Sequence, residues 1–111
     1  MVAIQDIPKG QAFDLSDHID YSAGSVVSKT LLSKDTGNIT LFSFDAGQGL
    51  TEHTSPFDAV VQILDGRAEI TIGGTSQIAK TGEMLIMPAD VPHALHASEQ
   101  FKMLLVMIRG K

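Results

Sequence analysis

From Val26 onward the chain is broken at short intervals by glycine and Asx turn signals, and this punctuation constrains the fold more than any other feature. Asp35-Thr-Gly-Asn38, Ala46-Gly-Gln-Gly49, Asp65-Gly66, Gly73-Gly74, Thr81-Gly82 and Pro88-Ala-Asp-Val-Pro92 separate short runs rich in Val, Ile, Leu, Thr and Phe. Spacing of this kind marks an all-β sandwich or barrel, not strand–helix–strand units. The expected strands are Val26–Leu32, Ile39–Phe44, Ala59–Leu64, Arg67–Ile72, Gln77–Lys80, Met84–Met87, His93–Ala97 and Lys102–Ile108. The one helix candidate is a short turn within Leu15–Tyr21, with Ser16 as its cap.

Arg67–Gly74 (RAEITIGG) is the clearest strand. Ala68, Ile70 and Ile72 fall on one face, and Arg67, Glu69 and Thr71 on the other, the period of a half-buried strand. Asp65-Gly66 before it and Gly73-Gly74 after it supply the positive φ of tight hairpins. Met84–Met87 and Met103–Ile108, by contrast, are apolar on both faces. One face of a small barrel fills its interior, so an apolar outer face needs a cover. A second sheet or a second subunit can supply one, and a homodimer is the expectation.

Composition removes whole classes of function. At 111 residues the chain suits one domain, residues 1–111, large enough to fold without a metal or disulfide staple. With no Cys there is no disulfide framework, zinc-thiolate site, iron–sulfur cluster or cysteine nucleophile. A net charge of −5 and an aromatic share of 5% argue against nucleic acid as a partner. The longest apolar run, Met103–Ile108, is far short of a bilayer span, so no membrane partner is expected. Met1–Gly10 has no apolar signal core, and a cytoplasmic protein is expected.

Chemistry rests on His53 and His93. Each lies next to a turn and at the entry to an expected strand, so two barrel strands can bring them together. Two spacings frame them. The first runs Gly47, five residues, His53, one residue, Ser55, three residues, Ala59, six residues, Gly66. The second runs Gly82, five residues, Pro88, one residue, Asp90, two residues, His93, three residues, Ala97. Ser55 beside either His suggests a nucleophile and base, but no orienting acid or oxyanion element accompanies it. Met84, Met87, Met103 and Met107 read as core filler.

These spacings resemble the two motifs of the cupin family, G-x5-H-x-H-x3–4-E-x6-G and G-x5-P-x-G-x2-H-x3-N. The wording TEHTSPFDAVVQILDGRAEITIGG at Thr51–Gly74 and MLIMPADVPHAL at Met84–Leu95 looks like small single-barrel cupins of unassigned activity. The resemblance implies a cupin-type antiparallel β-barrel (a double-stranded β-helix or jelly roll) with its core at about residues 38–109. It also implies metal-ligand positions at His53, Ser55, Ala59 and His93, of which only His53 and His93 hold good donors. The second motif has Asp90 in place of its Gly and Ala97 in place of its Asn.

A metal-poor barrel of this family implies a binding module for a small organic molecule, with His53, Ser55, Phe57, Val61, His93 and Leu95 as its ligand-binding residues. The alternative is a dioxygenase- or isomerase-type enzyme with a divalent metal ion on His53, His93 and an unidentified third ligand. Glu52, Asp58, Gln62 and His96 are the candidates for that third ligand, but strand alternation turns each away unless a bulge intervenes. A third reading is metal-free acid–base chemistry by one His, which needs a carboxylate to orient it.

Overall fold

The computed structural model describes residue 7 and residues 9–109; most of the N-terminal stretch read above for a signal lies outside them. Among the described residues, eight strands follow a single turn of 3₁₀ helix at Ser16–His18. They are β1 (Val26–Lys34), β2 (Gly37–Phe44), β3 (Gly49–His53), β4 (Asp58–Ile72), β5 (Thr75–Lys80), β6 (Met84–Met87), β7 (His93–His96) and β8 (Phe101–Ile108). Every pairing is antiparallel. One wall runs β1-β2-β8-β4-β6 and the other β3-β7-β4-β5. The all-β barrel expected from the turn spacing is the fold observed, and each expected strand lies within an observed one to a residue.

Strand β4 belongs to both walls. Its first part, from Asp58 to Gly66, pairs with β8 and β6, and its last part, from Arg67 to Ile72, pairs with β5 and β7. Asp65-Gly66 is therefore not the hairpin expected from sequence. It lies inside one strand, directly after a bulge at Leu64, the residue left over where the register against β8 slips between Ile63 and Asp65. Gly66 takes φ 78° there, and a Cβ on it would lie 2.2 Å from the Gln100 carbonyl oxygen. Only glycine meets both demands, and the bulge bends the strand from one wall to the other. Gly73-Gly74 does form the expected hairpin: both residues have positive φ between the paired Ile72 and Thr75, as a type I′ turn requires.

Alternation fills the barrel. Ala59, Val61, Ile63, Ala68 and Ile70 of β4 point inward and join Phe44, Leu95, Phe101 and Met103 in one core. The Phe44 and Phe101 rings stack with centroids 4.4 Å apart, directly across the β2–β8 ladder. Met87 and Met103 are core residues as expected; Met84 is not, because its position on β6 faces outward and leaves it 63% exposed. Strand β3 was not expected, since GLTEH has little apolar content. Among the described residues it is an edge strand that bonds only to β7, so it needs no two-sided apolar character.

Residues 14–21 lie across the outside of the β1–β2–β8 wall. The turn at Ser16–His18 is capped by Asp14, whose Oδ1 accepts the N–H groups of Ser16 and Asp17 at 3.0 and 3.3 Å, and not by Ser16. Ser43 Oγ donates to the Asp20 carbonyl at 2.8 Å, and Lys102 Nζ to the Ser16 carbonyl at 2.6 Å. Tyr21 donates to Asp65 Oδ2 at 2.5 Å, with Lys102 over its ring. Burial and the Asp65 carboxylate push the Tyr21 phenol well above its ordinary value. Asp45 is held below the usual carboxylate range, chiefly by the Gly24 N–H, then by Gln100 and the Ala46 N–H. Among the described residues no helix is long and apolar enough to cross a membrane.

Two outcomes follow. Gly66→Ala is expected to lower stability by at least about 2 kcal/mol through strain and clash together. Gly74→Ala, at φ +86° with no atom within 4 Å, should lose only about 1 kcal/mol, and urea unfolding midpoints separate the two. Because the folded state favours neutral Tyr21, its contribution is complete below the ordinary phenol value and lost as pH rises through the elevated one. Asp45 acts in reverse, its contribution being lost as pH falls through its depressed value. Tyr21→Phe should therefore flatten the alkaline limb of the stability–pH curve and leave the acid limb unchanged.

Candidate functional site

His53 is the last residue of β3 and His93 the first of β7, and they stand opposite each other in the ladder. Paired residues of an antiparallel ladder share a face with Cβ atoms about 5 Å apart, so residues forty apart in sequence meet directly. Their Nε2 atoms are 3.1 Å apart, and the ring centroids 4.4 Å apart at 68°. The expectation that the two imidazoles meet is met, with one change. His53 closes an unforeseen strand instead of opening the next one.

The same local device orients both rings. His53 Nδ1 lies 2.7 Å from the Thr51 carbonyl, and His93 Nδ1 3.2 Å from the Val91 carbonyl, each two residues upstream. A carbonyl oxygen only accepts, so both Nδ1 atoms carry the proton and both Nε2 atoms are left with a lone pair. Two lone pairs at 3.1 Å repel unless something is shared between them. A hydrogen-bond donor from a ligand, placed between them, is what both can share. His93 is buried and His53 exposed, so the pair opens to solvent on the His53 side.

The loops around the pair are cross-tied. The Asp90 N–H donates to the Ser55 carbonyl, and the Ala89 N–H to Asp58 Oδ1, both at 2.8 Å. The Gly73 N–H donates to the Pro92 carbonyl at 2.8 Å, fixing the entry to β7. Asp90, which stands where the resemblance expects glycine, has φ 64°. That conformation favours glycine and tolerates Asp better than most residues. Ala97 is fully buried, and its N–H donates to the Gln48 carbonyl at 2.8 Å.

The other expected site residues divide into groups. Ser55 Oγ accepts the Phe57 N–H at 3.2 Å, a local turn contact. The Phe57 ring lies under the Arg109 guanidinium, 4.9 Å from its centroid. Val61 and Leu95 are buried in the packed core. Surface concavities of 460 and 290 Å³ lie elsewhere, against β1, β2 and β8, the larger lined by Phe13, Leu31, Leu32, Ile39 and Leu104. Arg109 was not picked out from sequence, because nothing in the chain pattern shows that β8 ends beside Phe57.

The donor set does not fit a resident metal ion. Among the described residues no group of three or more His, Cys, Asp or Glu could hold one. Asp58 and His96 face outward, as alternation predicts, and Asp58 Oδ1 is engaged by the Ala89 N–H. Ala59 offers only a methyl group. Among the described residues neither imidazole has a carboxylate hydrogen-bond partner, so nothing here orients a catalytic base.

Comparison with known proteins gives a consistent picture. Residues 40–109 match a family described as "Cupin domain". An uncharacterized protein of Streptomyces coelicolor is 35% identical over 71 residues, covering 62% of this chain and 67% of the relative. A conserved protein of unknown function from Streptococcus pyogenes has a crystal structure that superposes with a TM-score of 0.90 at 40% identity, covering 100% of this chain and 97% of that one. A cupin 2 conserved barrel domain protein from Leptotrichia buccalis gives 0.85 at 39%, covering 87% of this chain. This chain spans about half of that one, 47%.

The Asp90 backbone yields a direct test. Asp90→Gly should raise stability by about 1 kcal/mol, and Asp90→Val should lower it by about 1–2 kcal/mol. Thermal or urea unfolding measures both.

Proposed function

The chain belongs to the cupin family, and on that premise we propose that it binds a small organic acid, with His53 and His93 as the polar anchor. The observation that carries this reading is the Nε2–Nε2 approach of 3.1 Å with both Nδ1 atoms tied to carbonyls. That arrangement leaves the Nε2 positions to meet a ligand. With both rings protonated, each Nε2–H donates to one oxygen of a carboxylate in a charge-assisted bond. His53 is exposed, so the anchor is reachable without opening the packed core.

The test is titration with a panel of small mono- and dicarboxylates, followed by calorimetry and by the imidazole nitrogen resonances. His93→Gln and His53→Gln are each expected to cost roughly tenfold or more in affinity. Binding that survives both substitutions would overturn the reading. Metal content checks the alternative: near-stoichiometric metal in protein purified without supplement, lost in both variants, would replace the binding module with a metal-dependent enzyme.

A further inference from the structure

Polar side chains also stand on the inner face of the first wall, at the same end of the barrel as the His pair. Residues paired across antiparallel strands share a face. The ladders therefore align Met87, Ala59, Met107 and Asn38 in one inward row, from β6 through β4 and β8 to β2. Leu85, Val61, Leu105, Thr40 and Thr30 form the next row. On the β4 side the first row adjoins the loop leading to His93, because Asp58, beside Ala59, accepts the Ala89 N–H. The Asp90 N–H ties the same loop to the Ser55 carbonyl, two residues after His53. This end is not packed shut: Ile72, Leu105 and Met107 face the core yet are only partly buried. Asn38 and Met107 also border the 290 Å³ concavity at the ends of β2 and β8, which opens the row to solvent.

We propose, on the premise that the His pair anchors a carboxylate, that Asn38, held by Thr40, is a second ligand-binding residue and that the molecule selected is an oxo acid. Its carboxylate meets the imidazoles, and an uncharged carbonyl oxygen meets Asn38. Thr40 is 9% exposed, and its hydroxyl donates to Asn38 Oδ1 at 3.2 Å. With Oδ1 engaged, the amide presents its NH2 group, which has no acceptor among the described residues. The lining decides the charge of the group that meets it. Neither inward row carries Asp, Glu, Lys or Arg, so a second carboxylate would enter with no cation to offset its desolvation. A carbonyl oxygen accepts the same N–H bond at far lower desolvation cost. Strand β2 lies two strands from β4, about 10 Å at the spacing of a sheet. The carbonyl therefore belongs several bonds from the carboxylate and not beside it.

Calorimetry with three five-carbon probes tests this. Levulinate, with its carbonyl three bonds from the carboxyl carbon, is expected to bind about tenfold more tightly than pentanoate, which lacks the carbonyl, or glutarate, which carries a second charge. Asn38→Leu should remove that preference and leave pentanoate affinity unchanged. In the wild type the Asn38 side-chain NH2 resonances should shift with levulinate and not with pentanoate. Thr40→Val should lose most of the preference and Thr40→Ser retain it, since serine keeps the hydroxyl that orients the amide. Equal affinity for the three probes, a preference for glutarate, or a levulinate preference that survives Asn38→Leu would overturn this proposal while the His anchor stands. Failure of all three to bind, or pentanoate binding unaffected by His53→Gln and His93→Gln, would instead remove the anchor and this proposal with it.

Discussion

Strand β4 holds the two walls together, and its ability to do so rests on the bulge at Leu64 and the positive-φ Gly66 that follows it. A regular strand of fifteen residues would run straight through one sheet. At Gly66 the left-handed backbone, pressed against the Gln100 carbonyl, turns the strand so that one part bonds β8 and β6 and the next bonds β5 and β7. The inward alternation continues on both sides of the bend, so Val61, Ile63, Ala68 and Ile70 face one core. Loss of the bend would separate the walls and leave that core half lined.

The site is a consequence of the second wall. Because β4 carries β7 beside its last residues, His93 is fixed opposite Ile72, and β3 then adds on the far side with His53 opposite His93. The two rings are placed by ladder register, and their rotation is set by the carbonyls of Thr51 and Val91. Retention of these two His, with Ser55 spent on a turn and Ala59 in the core, separates this barrel from one equipped to hold a metal through its side chains.

The outer surface of the first wall shows how far a short chain covers itself. The segment 14–21 is secured by Asp14, Ser43, Tyr21 and Lys102, and beneath it Leu41 and Ser43 are fully buried. Farther along the same wall, Ile86 and Ile108 remain more than half exposed.

Turn chemistry and alternation made the barrel legible. Gly73-Gly74 announces its hairpin, Arg67–Ile72 its buried face, and Met84–Met87 and Met103–Ile108 the need for a second apolar surface. Strand β3 stayed hidden because an edge strand bonded on one side needs no apolar signature. Asp65-Gly66 misled because positive φ is common to hairpins and bulges, and only the pairing partners distinguish them. The sequence by itself determined that the chain is a β-barrel carrying two imidazoles at matched spacings. Tertiary structure alone decided that they touch, that Arg109 covers Phe57, and that no third donor joins them among the described residues. The physical reason is that side-chain period is local, whereas register is set by pairing between strands distant in the chain.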